Sequence, residues 1–419
     1  MEKVANPYLT RADTIVLANL LQDIEEAGHP ASPDGISYDD QTSMNLLAGL
    51  DKEPTVFTGL DQEGLGRFKS LGNISLQPYI TWAQSVVRRP TDVVFLTHIL
   101  LYLATSIPSA IFLFYRFSWT HGVCHWLMQA YYSGPFTLML HNHIHGNGVL
   151  DKKYAWFDQS FPYVLGPLMG HTWDSYYYHH VKHHHVEGNG PGDLSSTIRY
   201  QRDELIDFLA YVGRFLAFVW IELPLYFVRK GRLAFAIKCF VCETSSYLAI
   251  YLLATRNFRP TLFVFMLPLL QMRIAMMIGN WGQHAFVDEV EPDSDFRSSI
   301  TLIDVSSNRY CFNDGYHTSH HLNPRRHWRQ HPINFIKAKS QYQNERALVF
   351  RNIDYLMITF KLLQKDYDHL AKCLVPMGDQ IKMNHQELAD MLRTKAKQFS
   401  EADIQKKFHK TEKENGNME

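Results

Sequence analysis

Between residues 93 and 150 formal charge falls on a single residue, Arg116, which divides the stretch into two apolar runs, Val93–Tyr115 and Phe117–Leu150. Each run is long enough for a helix to cross a hydrocarbon core about 30 Å thick. Inside lipid, backbone hydrogen bonds must be satisfied within the segment, which leaves the helix as the conformation for such a run. The break at Arg116 and Ser118–Thr120 is short, so the pair is expected to cross outward and return as a hairpin. Arg88 and Arg89 precede it and Lys152 and Lys153 follow it, which places both open ends on the cytosolic side by the positive-inside tendency.

Three more apolar segments follow: Ile206–Val228, Leu233–Ala254 and Thr261–Gly279. Three crossings would leave the polar stretches before and after them on opposite sides of the membrane, so one segment is expected to lie in the interface. Ile206–Val228 is the choice, because Arg229, Lys230 and Arg232 pin its end to a polar surface. The other two form a second hairpin with Arg256–Pro260 as its outer loop; Lys238 and Glu243 are among the charges it must accommodate. The expected fold is an all-α integral membrane protein, two transmembrane hairpins carrying a cytosolic helical cap. Residues 1–92 are read as a cytosolic N-terminal region of modest order, with turn-formers Pro30, Pro33, Asp34 and Gly35. Residues 93–285 form the membrane domain, and residues 286–419 a soluble cap with amphipathic helices around Pro332–Gln364 and Asn384–Lys407, ending in the solvated tail KTEKENGNME.

A formal net charge of −1 offers nothing to a polyanion, so nucleic acid is not an expected partner. Five scattered cysteines in 419 residues make no disulfide framework. Cys239 and Cys242 sit in an apolar run and read as packing residues. The opening MEKVANPYLT has no apolar core of a signal peptide, so internal segments are expected to direct insertion.

Chemistry enters with the histidines. HNHIH (His141–His145) ends the first hairpin, HHVKHHH (His179–His185) follows in a polar stretch, and YHTSHH (His317, His320, His321) comes after the last span. On an α-helix, residues three or four apart share a face, so His141 with His145, His180 with His184, and His317 with His320 and His321 can each converge. GNWGQH adds Asn280 and His284, one turn apart at the end of the last span. So many imidazoles exceed what one tetrahedral ion takes and suit a pair of ions. Imidazole alone does not choose among zinc, copper, nickel and iron. The clusters hold no carboxylate, unlike soluble di-iron bundles built on Glu and Glu-x-x-His.

From about His98 to Trp328 this pattern resembles the membrane fatty-acid desaturase superfamily: HxxxH, then HxxHH or HxxxHH, then HxxHH, with GYHTSHHLNP similar to that family's third box and AsnxxxHis at Asn280 and His284. The resemblance implies two iron ions, O2 as co-substrate, electrons delivered from outside, and removal of two hydrogens from a fatty-acyl or other lipid chain. It implies His141, His145, His180, His184, His284, His317, His320 and His321 as ligands, with Asn280 reaching a metal through water. The second box leaves His183 and His185 open as alternatives. No catalytic residue beyond the ligands is expected. Carboxylates available to hold the ligands' far nitrogens are Asp174, Glu187, Asp193, Asp288 and Asp314. His143, His171, His179 and His327 are read as neighbours of the site, and His98, His121 and His125 as packing residues.

No HisProGlyGly haem signature is present, so the expected electron donor is a separate protein such as cytochrome b5 or ferredoxin with its reductase. The expected location is the endoplasmic reticulum membrane, with the site facing the cytosol. A hydroxylase, ketolase or acetylenase would use the same ligands. A histidine-rich metal transporter would need polar residues along its spans, which the first hairpin lacks.

Overall fold

The computed structural model describes residues 10–28, 38–58 and 69–408; Pro30, Pro33, Asp34, Gly35 and the KTEKENGNME tail lie outside them. The first hairpin is Val93–Tyr115 followed by Trp119–Gly146. Ser118 starts the second helix, its hydroxyl accepting from the His121 amide at 3.2 Å, the usual N-cap arrangement. Asn147 stops it in the left-handed region, φ 54°, a position that favours Asn or Gly. Gly148 follows at φ 111°, where a Cβ would meet the Asp158 carboxylate. The helix therefore ends four residues before Leu150, the end of the uncharged run.

The second hairpin pairs Leu233–Arg256 with Phe258–Gln283. Glu243 and Arg273 form an ion pair across it, which answers the cost of an isolated charge in a span. Lys238 is exposed near the start of its helix, where a long side chain can reach the interface.

Among the described residues, four helices are long and apolar enough to cross a membrane: Val93–Tyr115, Leu205–Arg229, Leu233–Arg256 and Phe258–Gln283. Trp119–Gly146 is diluted by its histidines and amides, yet it is the return arm of the first hairpin. Leu205–Arg229 is apolar enough, but it runs along the second histidine segment: the Tyr211 hydroxyl donates to Ser195 O at 3.1 Å, Phe215 packs on the His179 ring, and the Tyr226 hydroxyl donates to Glu187 at 2.6 Å. Tyr211 and Tyr226 are about 22 Å apart along the helix axis, so the contact runs along most of the helix. Its inner stripe is Tyr211, Phe215, Val219, Leu223 and Tyr226, while Ile206, Leu209, Phe218 and Val228 are exposed on the outside. The helix is two-faced, packed on the second histidine segment along one side and apolar and exposed along the other.

The cap contains the one departure from an all-helical fold among the described residues: strands Ile300–Ile303 and Leu348–Arg351 pair in parallel, Ile300 opposite Leu348. The ALVFR run, expected within a helix around Pro332–Gln364, is taken by this pairing, because β-branched and aromatic residues fit a strand buried between layers. Short helices His331–Lys337, Lys339–Asn344 and Tyr355–Leu363 flank it. Asn384–Lys407 likewise becomes two helices, each with its own capping box, at Asn384 with Glu387 and at Ser400 with Asp403.

The N-terminal helices Arg11–Gly28 and Asp40–Leu50 are a wall of this cap. Lys339 Nζ donates to Asn19 and Asp23, and Arg329 reaches the Leu50 and Glu53 carbonyls. Tyr355–Leu363 packs on the end of Phe258–Gln283, close enough that a Cβ on Gly282 would lie 2.5 Å from the Tyr355 carbonyl. This contact fixes Asn280 and His284 against the cap.

Candidate metal centre

The second histidine box is not an α-helix. Tyr177–His184 is π-helical and continues into His185–Glu187. With i→i+5 closure, residues five apart share a face, so His180 and His185 point together and His184 points elsewhere. The α-helical pairing of His180 with His184 is thereby corrected: the two belong to different groups.

Group one contains His141, His145, His180, His185 and His320. The Nε2 atoms of His141 and His320 are 3.0 Å apart, those of His320 and His185 2.8 Å, of His185 and His180 3.1 Å, and of His180 and His141 3.3 Å. Group two contains His184, His284 and His321, with His317 Nε2 3.3 Å from His284 Nε2. The second and third boxes each send ligand atoms to both groups, which sets the groups side by side; the His180 and His184 rings stack at 5.6 Å.

Group two is oriented from behind. His184 Nδ1 bonds Asp193 Oδ2 at 2.7 Å, and His284 Nδ1 donates to the Ser298 carbonyl at 2.8 Å. A carbonyl can only accept, so the His284 proton sits on Nδ1 and the Nε2 lone pair faces the group. His321 Nδ1 lies 3.8 Å from Asp295. Burial, and then neighbouring histidines, hold His180, His185, His317 and His320 well below the ordinary imidazole range. They are neutral, the form that ligates metal. Nitrogens that converge at such short range must share protons or a cation, and His145 Nε2 is buried with no hydrogen-bond partner. These residues fit a pair of metal ions.

The other expected residues lie as follows. His183 is turned away from both groups: its Nε2 accepts from the Leu194 amide at 3.1 Å and its Nδ1 faces Asp193 at 3.8 Å. His185 is the one brought into group one. Asn280 uses its amide nitrogen on Ser195 O and the Tyr211 hydroxyl, leaving its oxygen for the cavity it lines. Of the five carboxylates, Asp193 bonds a histidine of the groups; although burial pushes against ionisation, His184 and His183 hold its carboxyl below the ordinary range. Asp174 accepts from the Tyr163 hydroxyl, Glu187 meets Tyr226 and Lys230, and Asp288 meets Lys395 and Arg297. Asp314 lines the cavity, and burial pushes its carboxyl up to about 7. His98, His121 and His125 bond Tyr102 and Ser109 within the first hairpin. His143 reaches the Asp158 carbonyl, His171 the Thr137 hydroxyl and His327 the Asp92 carboxylate.

A sequence model of the fatty acid desaturase family matches residues 117–351, more than half of the chain. The chain belongs to the fatty acid desaturase family. Searches of curated proteins and of solved structures return no match. The matched region of this desaturase-family chain holds all three histidine boxes, the AsnxxxHis pair and the cap's two strands.

Two residues the sequence reading passed over support the site. Asp13, from the N-terminal wall, is buried behind the third box, accepting from the Tyr316 hydroxyl at 2.8 Å and from Asn308. Burial pushes its carboxyl up to about 7. Asp295 stands behind His321. Neither lies at a recognisable spacing from a box; only tertiary packing brings them there.

A cavity of about 230 Å³ opens against both groups. His141, His180, His184 and His317 line it together with Thr137, Phe215, Met272 and Met276.

Proposed function

We propose that this protein is an O2-dependent membrane lipid desaturase whose two iron ions are held by the two histidine groups. The observation that carries the proposal is the adjacency of those groups, sharing the second and third boxes, beside a largely apolar cavity. Bound there, a di-iron centre supplies the oxidising power to break unactivated C–H bonds. The chain's own residues do the rest. His184 and His284, fixed by Asp193 and Ser298, present their lone pairs without reorganising. Met272, Met276 and Phe215 hold an alkyl chain against the histidines and keep bulk water out. An all-imidazole shell leaves the metals more cationic than a carboxylate-rich one, which favours a strong oxidant.

By this reading the fatty-acyl or related lipid enters from the bilayer and a separate electron donor, cytochrome b5 or ferredoxin with its reductase, docks on the cap. The cap faces the cytosol and the membrane is the endoplasmic reticulum. Basic residues on the cap-side end of group one, Arg88, Arg325 and Arg326, border a second pocket that reaches His141, His145 and His320, a surface suited to an acidic donor or an anionic headgroup.

The test is expression in a lipid-producing host with a matching reductase, followed by metal analysis and lipid mass spectrometry. Lipids lacking two hydrogens support the proposal. A gained oxygen atom would move the protein to the hydroxylases of the same scaffold. Unchanged lipids with stoichiometric zinc would refute the oxygenase chemistry altogether.

A further inference from the structure

The cavity beside the histidines does not end in hydrocarbon. Tyr176, His179, Phe215 and Met276 line both it and a smaller chamber of about 40 Å³. Beyond the shared residues the chamber's lining includes the polar Thr172, Ser175, Glu243 and Arg273. A water needs roughly 10–15 Å³ of such space, so a terminal group of a few heavy atoms has room. Arg273, Met276 and Asn280 fall on one face of the same helix, which sets the polar end about 10 Å from Asn280.

The polar end has unspent donors and no net charge. The Glu243 carboxylate is satisfied, accepting from Arg273, Thr172 and Tyr247. Arg273 makes its bonds to Glu243 and Thr172 through Nη2 alone. The N–H groups of Nε and Nη1 have no protein hydrogen bond among the described residues, on a side chain that lines the chamber over the Phe215 ring. The Arg273 side chain is only 12% exposed, so these N–H groups call for acceptors, and Glu243 already balances its charge. A carboxylate entering here would sit beside Glu243 and repel it; a neutral oxygen would not.

We propose that the chamber binds a neutral oxygen function, a hydroxyl or carbonyl, at the far end of the lipid chain, with Arg273 as its donor. This rests on reading the larger cavity as a lipid-chain site and names the substrate class: a chain oxygenated at a distance from the carbons that face the histidines. Arg273 is a specificity determinant.

The experiment measures equilibrium binding of three radiolabelled probes of equal carbon count, a long-chain primary alcohol, the alkane and the fatty acid, to full-length protein in nanodiscs, each corrected by empty nanodiscs. The alcohol is expected to bind about five- to tenfold tighter than the alkane, the worth of one net hydrogen bond, and tighter than the acid at neutral pH. The Glu243→Leu/Arg273→Met double variant exchanges the pair for apolar side chains, a replacement buried ion pairs often tolerate, and should erase the preference. Equal binding of alcohol and alkane to the wild type, or preference for the acid, overturns the proposal whether or not the variant folds. A preference that persists in a folded variant overturns the role of Arg273. Binding requires no metal or electron donor, so a protein inactive on lipids would defeat the desaturase reading and leave this test standing.

Discussion

The two histidine groups differ in what stands behind them. In group two, Asp193 and the Ser298 carbonyl each bond the far nitrogen of a histidine, and Asp295 lies near a third. In group one, among the described residues, the hydrogen-bond-range neighbours of His141, His180, His185 and His320 are one another. Group two is therefore preorganised by protein, while group one has no such support behind these four histidines among the described residues. Group one should lose order when stripped of metal and group two should keep its geometry.

The sharpest way to break this comparison is to remove a histidine from either group. His320→Ala and His184→Ala should each abolish activity while the protein still inserts, checked by lipid products and membrane fractionation; retained activity would take that residue off the ligand set. Asp193→Asn comes next. Loss of an outer partner typically costs 10- to 100-fold in metal affinity, and iron titration should show the loss in one site only. A smaller effect separates His183 from its neighbour. His185→Ala should lose metal and activity, whereas His183→Ala should keep both and lose about 1–3 kcal/mol of stability, because the Leu194 amide is left without its acceptor; chemical denaturation measures it.

The smallest effect lies in the N-terminal wall. Asp13 has its carboxyl raised to about 7 in the folded protein from an ordinary 3.8, so the folded state holds its proton more tightly than the unfolded state. Its contribution is fully present below about pH 4 and is lost as pH rises toward and through about 7. The melting temperature in detergent should fall by a few degrees across that window, and Asp13→Asn should flatten the slope.

Much of this was legible in the chain. Apolar runs mark both hairpins, since hydropathy and length are local properties. The boxes were legible as boxes. Their division was not: the His180/His184 pairing takes α-helical spacing, and nothing in HHVKHHH announces a π-helix, which packs through Tyr178 on Phe227, His179 on Phe215 and His183 on Tyr226. The strand Leu348–Arg351 and the reach of Asp13 across about three hundred residues to Tyr316 were hidden for the same reason. Both depend on partners remote in sequence, and a local pattern holds no record of them.

Iron and zinc content per chain, measured on protein purified from iron-replete cells, tests the central claim most directly. Two irons per wild-type chain, two in His183→Ala and about one in Asp193→Asn is the result expected when group two leans on its carboxylate. One ion per wild-type chain, or zinc at full occupancy, would contradict the account.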